Sequence, residues 1–390
     1  MTGPTTPRTS FTGYYGMNNF GDDLFGLLCH AAARRFWGSE ARLVGPAIPG
    51  VGARYTMPSW FPASTYGAGG PVGQASRVYS FARALLASDV LVLGGGSVVH
   101  SRESFRRPLM LAAQRRGRLE LGAVGISIGP FEDRASRASA ADFLRHFRFV
   151  SVRDTRSYEL ALEMGLGERA HRGRDLAGLL PLLGPGPARK AAPADGSPAR
   201  VGVALCNYGD SRGYPVPDKR ALLEDAAAAL LELSRQRPVV VDLLCLNEHG
   251  THGDRELSAA LQGRLESGGV QARLVPYQGR GPLEMARLIG ACDAVLSARL
   301  HGAIVSYMEG VPFSIIDYHP KCRDFADEVG LAPRLRITAE NQGARALGAA
   351  LRCALAGEEP PTLPRATYAE QALDVFRRSP WCLGGKEAQQ

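Results

Sequence analysis

No apolar run in this 390-residue chain approaches the roughly 20 residues that a membrane-spanning helix needs. Stretches such as Val90-Leu91-Val92-Leu93 are far too short. The opening MTGPTTPRTSFTGYYG also lacks the charged-then-apolar order of a secretion signal. Cysteine is sparse: seven residues, an odd and scattered set with no CxxC pair, which argues against a disulfide framework and against a zinc ribbon. Lysine is nearly missing, 4 against 42 arginines, a bias read as one of coding rather than of function. No GxGxxG turn with a suitably spaced acidic residue marks a dinucleotide site. No basic run interleaved with aromatics marks a nucleic-acid partner. These absences lead to the expectation of a cytoplasmic, enzyme-sized protein with buried reduced thiols and no nucleic-acid partner.

What is present describes a globular protein of two domains. Hydrophobic residues make up 45% and charged residues 22%, the range of an ordinary folded chain. The length suffices for two cores. The net charge of +8 is one-sided: residues 1–183 hold 22 arginines and no lysine against 14 carboxylates, and the remainder is neutral. Such a surplus draws small anions into a site or attracts an anionic membrane surface. The Pro-, Gly- and Ala-rich stretch 184–200 reads as a linker. The expected organisation is an N-terminal domain over 1–183, the linker, a C-terminal domain over 201–356, and a tail over 357–390 that returns as a helix.

Both halves alternate short apolar runs with helical patterns. In the first, Val90-Leu91-Val92-Leu93, Ala123 to Ile128 and Phe149 to Val152 read as buried strands, with helices over Leu24 to Phe36 and after Asp154. In the second, strands at Arg200 to Leu205, Val239 to Leu244 and Asp293 to Leu296 alternate with helices at Ala221 to Gln236 and Leu283 to Ile289. Short apolar strands separated by helices imply parallel sheets with crossover helices. The fold class is therefore α/β, with two Rossmann-like parallel-sheet domains facing a cleft. A weak echo links Ala87-Ser88-Asp89-Val90-Leu91 to Ala291-Cys292-Asp293-Ala294-Val295-Leu296.

The most informative stretch is Ser297-Ala298-Arg299-Leu300-His301-Gly302, between a strand pattern and a helix that stops at Gly310. Open α/β folds bind ligands at such junctions, where free N–H groups and the helix dipole favour an anion. Arg299 offers a permanent planar cation, and His301 can carry a proton near neutral pH. In an extended chain the two point the same way. The bland alternative is a surface arginine and a capping histidine. Gly94-Gly95-Gly96-Ser97, with His100 behind it, suits either a tight packing turn or a backbone contact to phosphate or sugar. Asn19 and Asp22 either cap the first helix or face a ligand. Arg153 is either a second anion-binding cation or a local ion-pair partner. Lys321, after Tyr318-His319-Pro320, is one of the few lysines and suits a phosphate. His249 and His252 lack the spacing and third ligand of a metal site, so no metal is expected.

These junctions, in this order, resemble the polysaccharide pyruvyl transferase family. GYYGMNNFGDD, LVLGGGSVVH, GISIGP, VSVRDTRSYELALEMGL, Asp175-Leu176-Ala177, SARLHGAIVSYMEGVP and DYHPKCRDFADEVGL carry the resemblance, across residues 11–331. It implies the two-Rossmann GT-B architecture and transfer of pyruvate from phosphoenolpyruvate to two sugar hydroxyls as a cyclic ketal. His301 would then be the general acid, with Arg299 and Arg153 holding phosphate and carboxylate. Leu300 and Gly302 flank the acid, and His100 is a weaker transfer because spacing after the glycines varies. No cofactor is implied beyond phosphoenolpyruvate as co-substrate. The acceptor would be a lipid- or nucleotide-linked sugar of a cell-surface polysaccharide precursor. Two rivals stand beside this reading: a GT-B glycosyltransferase using a nucleotide sugar, and a non-catalytic glycan-binding protein on the same fold.

Overall fold

A computed structural model describes residues 6–101, 104–184, 197–207, 218–248 and 253–383. Most of the expected linker and the His249/His252 loop lie outside these residues. The chain divides into two compact units. The first comprises 1–17, 22–184 and 368–390; the second comprises 18–21 and 185–367. Two departures from the expected domains follow. Residues 18–21, early in the chain, count with the second unit. The final helix, Arg365–Arg377, passes into the first unit from Tyr368 onward.

The first unit is built on seven parallel strands: β1 (Thr9–Thr12), β2 (Arg42–Val44), β3 (Arg54–Tyr55), β4 (Val90–Val99), β5 (Glu120–Ile128), β6 (Phe149–Val152) and β7 (Ala170–Arg172). Their order is β3-β2-β1-β4-β5-β6-β7. Strands β1 and β6 are buried along their whole length, as helix-covered parallel strands must be. One correction concerns β4. The expected strand end at Gly94 is overrun, and β4 continues to Val99 through Gly95 and Gly96, which adopt φ +78° and +84°. The register with β5 shifts between Gly96 and Val99. Glycine tolerates this backbone where a side chain would be strained.

The second unit carries six parallel strands: β8 (Ala199–Ala204), β9 (Val239–Cys245), β10 (Gln271–Pro276), β11 (Ala294–Ser297), β12 (Phe313–Ile316) and β13 (Arg336–Ile337). They run in the order β10-β9-β8-β11-β12-β13. Counted from β8, this is the doubly wound sequence 3-2-1-4-5-6, whose switch point lies between β8 and β11. In the first unit the matching switch lies between β1 and β4. The two strands joined by the sequence echo, β4 and β11, thus hold the same fourth place in their sheets.

Each unit has its own core. In the second, Val201, Val203, Leu243 and Leu296 pack against Ala226, Leu230 and Leu351. In the first, Leu91, Ile126 and Val150 pack against Phe81, Phe143 and Leu144. The returning helix closes an aromatic cluster in the first unit. Trp37 stacks on Phe11 at 5.7 Å and lies 5.0 Å from Phe376 and 5.2 Å from Trp381. Its indole N–H donates to the Phe376 carbonyl at 3.2 Å. All seven cysteines are free, and six are buried. Burial pushes the Cys245 thiol up to about 11 and that of Cys292 to about 12, so both stay protonated. No helix among the described residues is long and apolar enough to cross a membrane. Truncating Trp37 to Ala is expected to cost about 3–5 kcal/mol. Chemical denaturation monitored by near-UV dichroism checks this; a loss below about 1 kcal/mol would contradict the central place of the cluster.

Candidate active site

The carboxyl ends of β8, β11 and β12 bring together the residues singled out after Ser297. Arg299 is the last extended residue (φ −98°, ψ 125°), and the helix Leu300–Glu309 begins directly after it. The chain therefore does not stay extended through His301, which lies in the first helical turn. Ser297 shapes the junction: its hydroxyl donates to the Arg299 carbonyl at 2.6 Å and accepts from the Arg299 N–H at 3.2 Å. No side chain caps this helix, so its first-turn N–H groups point to the sheet edge without a side-chain acceptor from the N-cap.

Arg299 does not present an open fork. Its Nε donates to both carboxylate oxygens of Asp254, at 3.1 and 3.0 Å, and its Nη2 donates to Oδ1 of the same group. Asp254 is fully buried, whereas the Arg299 side chain keeps 19% of its surface. Burial works against the charge on Arg299, but the adjoining carboxylate outweighs it and raises the guanidinium pKa. Asp254 also accepts from the Asn247 N–H at 3.0 Å. Half of the expected anion clamp is thus matched internally by a carboxylate.

His301 is held from the other side by backbone. Residues 18–21 run against the end of β9: Phe20 N–H donates to the Leu246 carbonyl at 2.9 Å and Glu248 N–H to the Asn18 carbonyl at 3.0 Å. Asn19 and Asn247 form an antiparallel bridge. Asn18 adopts φ +55°, a left-handed conformation that asparagine tolerates better than most residues. The segment delivers Gly21 onto the imidazole. A Cβ at Gly21 would lie 2.6 Å from His301 Cγ and closer still to Nδ1. Asn19 accepts from the Gly21 N–H at 3.2 Å, the capping alternative for that residue.

Lys321 lies half-buried in the first turn of the helix Pro320–Val329, whose N-cap His319 accepts from the Lys321 N–H at 3.3 Å. Cys206, beyond β8, approaches the Tyr318 hydroxyl at 3.7 Å. Burial raises the Cys206 thiol against the opposing pull of Arg299 and Lys321, so it is no thiolate nucleophile. Two sequence expectations change here. Leu300 is 5% exposed and belongs to the core, leaving only its backbone for a ligand. Gly302 serves packing, because a Cβ there would meet the Ser297 side chain and lie 3.2 Å from Leu246 Cδ1.

In the first unit a second cluster forms at the ends of β4, β5 and β6. Arg153 is 5% exposed. It donates through Nη1 to Asp175 at 3.0 Å, through Nε to Ser127 at 2.7 Å and through Nη2 to Ser97 at 3.3 Å. The local-partner reading describes it: Arg153 is a buried strut whose charge Asp175 balances. Asp154 beside it caps the helix Thr155–Glu163, accepting from the Ser157 N–H at 2.7 Å. The approach allowed at Gly95 is to a side chain, since a Cβ would lie 2.6 Å from Phe25. Gly96 faces Asp22, whose carboxylate would stand 3.4 Å from a Cβ there. Ser97 is exposed, and His100 is half-buried past the end of β4.

The profile of polysaccharide pyruvyl transferases matches residues 18–320. The chain belongs to the polysaccharide pyruvyl transferase family. It is therefore a transferase, with pyruvylation of a polysaccharide as the family's activity and a sugar as its acceptor. No curated protein matches the chain. Among solved structures it is similar to UDP-GlcNAc 2-epimerase from Neisseria meningitidis bound to UDP-GlcNAc, at 11% identity and TM-score 0.55, covering 94% of this chain and 97% of that one. It is also similar to UDP-N-acetylglucosamine 2-epimerase from Rickettsia bellii, at 11% identity and TM-score 0.56, covering 95% and 93%. At this identity the likeness speaks for the GT-B fold alone.

Within this pyruvyl transferase, sequence reasoning missed Asp254 as a part of the site and missed the contact of Gly21 with His301. Asp254 is 45 residues from its partner, next to a loop whose histidines drew the metal question. Gly21 stood inside the quoted GYYGMNNFGDD, but nothing in the sequence tied it to His301. Asp254→Ala would leave Arg299 buried without its counter-charge and is expected to cost about 3–5 kcal/mol in urea unfolding. A change below about 1 kcal/mol would show that the pair is solvated.

Proposed function

We propose that this enzyme transfers pyruvate from phosphoenolpyruvate to two hydroxyls of one sugar in a surface-polysaccharide precursor, releasing phosphate. The observation that carries the reading is an imidazole in the first turn of a helix without a side-chain cap, at the switch point of the second sheet, in a member of this family. The donor's phosphate and carboxylate meet the first-turn N–H groups of helix 300–309 and the Lys321 ammonium. Arg299, anchored on Asp254, adds its remaining Nη1 edge and holds the junction in shape. Asn19, on the segment that brings Gly21 to His301, is assigned to the sugar.

The chemistry needs one acid and no redox partner. His301 gives its proton to the methylene carbon of the donor, so the C=C π pair forms the new C–H bond and positive character develops at C2. The first sugar hydroxyl adds to C2, and its proton returns to the imidazole. The C2–O bond to phosphate then breaks, with the leaving group taking the electron pair. The second hydroxyl adds to C2 and passes its proton to phosphate. One donor and one diol yield one ketal and one phosphate. The first-turn dipole and Lys321 favour the phosphate as its charge grows.

Phosphate release from phosphoenolpyruvate against a panel of hexosides tests the proposal. We expect turnover with at least one acceptor, and consumption of a nucleotide sugar without phosphoenolpyruvate would instead favour the glycosyltransferase reading. His301→Ala should abolish release while largely sparing donor binding, whereas Arg299→Ala should lose both. Equal turnover by wild type and His301→Ala removes the acid role. Gly21→Ala should lower turnover more than about tenfold, the loss that a misplaced acid implies. Wild-type turnover in that variant would mean that the imidazole has room to spare.

A further inference from the structure

The first unit carries a feature that the transfer chemistry leaves unused. Between Glu40 and Asp89 the sequence contains no carboxylate, yet it holds Arg42, Arg54, Arg77 and Arg83. Three of these arginines line one surface cavity of about 570 Å³, together with Tyr55, Met57 and Trp60. Arg42 and Arg83 are held by backbone carbonyls, of Ala87 at 3.3 Å and Thr56 at 2.8 Å, so their charges are not cancelled there. Burial, and then repulsion from Arg54, Arg83 and Arg8, lowers the pKa of Arg42. Convergent cations without counter-charge favour an anion.

An apolar surface adjoins this cavity. Trp60, at its rim, is 79% exposed. The helix Gly70–Ala87 exposes Val72 at 66%, Tyr79 at 52% and Leu86 at 78%. Residues seven apart lie on nearly the same side of an α-helix, so these three form one outward stripe. Arg83, which lines the cavity, sits 5.8 Å from the Tyr79 ring and links the two features. Exposed apolar groups beside uncancelled cations match a bilayer surface: the side chains enter the headgroup–acyl boundary, and the arginines meet lipid phosphates.

We propose that this face docks the enzyme on an anionic lipid surface, with a headgroup phosphate seated among Arg42, Arg54 and Arg83 and with Trp60, Val72, Tyr79 and Leu86 inserted. Docking is independent of the reaction assigned above, because it is read by binding alone. The chain has three tryptophans, and Trp37 and Trp381 are 0% and 7% exposed, so an emission shift on binding reports Trp60.

The test uses the full chain with vesicles of phosphatidylcholine, alone or mixed with phosphatidylglycerol. The protein is expected to sediment with the mixed vesicles only and to show a blue shift. Trp60→Phe should still sediment while losing the shift. The double change Arg54→Glu with Arg83→Glu should lower the partition coefficient more than about tenfold, given the contribution of each basic residue near such a surface. Val72→Ser with Leu86→Ser should lower it as well, and far-UV dichroism confirms that these surface variants are folded. Binding unaffected by charge reversal, or no binding by wild type, overturns the proposal. A Trp60 shift produced by inorganic pyrophosphate without vesicle sedimentation overturns it too, in favour of a soluble anion.

Discussion

The geometry of the candidate site rests on one close approach, the backbone of Gly21 against the ring of His301. No residue with a Cβ fits there without moving the imidazole. Two backbone hydrogen bonds, which together make the Asn19–Asn247 bridge, hold the approaching segment in place. An acid on a helix turn is ordinarily free to sample rotamers. Here the ring is confined by main chain, which cannot rotate away as a side chain can. That confinement is the kind of preorganisation a proton transfer to carbon requires.

In each unit, charge at the strand ends is organised by compensation. Arg299, expected as half of an anion clamp, and Arg153, for which a local ion pair was the alternative, are each matched by a buried carboxylate, Asp254 and Asp175. Removing either partner leaves an isolated buried charge, so both pairs are costly to break even though burying a pair contributes little net stability. Their effect is to fix the strand-to-helix junctions after β11 and β6 in one shape. In the proposed reaction the doubly negative donor is received by the first-turn N–H groups of helix 300–309 and by Lys321. The one-sided surplus of arginine in the N-terminal half has a structural counterpart as well, in the cations gathered around the cavity beside Trp60.

Much of the architecture was legible because its central strands are apolar runs bounded by turn residues. Phe149–Val152 appears with the expected limits, and Val239–Cys245 extends the expected strand by one residue. The helix ending at Gly310 stops where its glycine takes φ +76°. Edge strands such as Ala170–Arg172 and Arg336–Ile337 are two or three residues long and carry arginine, so no periodicity marks them. Local pattern also misled where glycine continued a strand through Gly95 and Gly96 instead of ending it. At the site, the junction residues were visible because they are adjacent in sequence. Asp254 and Gly21 were not, since a partner 45 or 280 residues away leaves no local trace. The roles of Arg153 and Gly302 turned on packing, which spacing does not encode.

The central claim, that a confined His301 delivers a proton to the donor's methylene carbon, is tested most directly by running the transfer in heavy water and analysing the ketal by mass spectrometry and NMR. The account predicts one solvent deuteron in the ketal methyl group of every product molecule, and loss of this labelled product when His301 is replaced by Gln. A ketal methyl group without solvent deuterium, or an equal yield of labelled ketal from the His301→Gln enzyme, would contradict it.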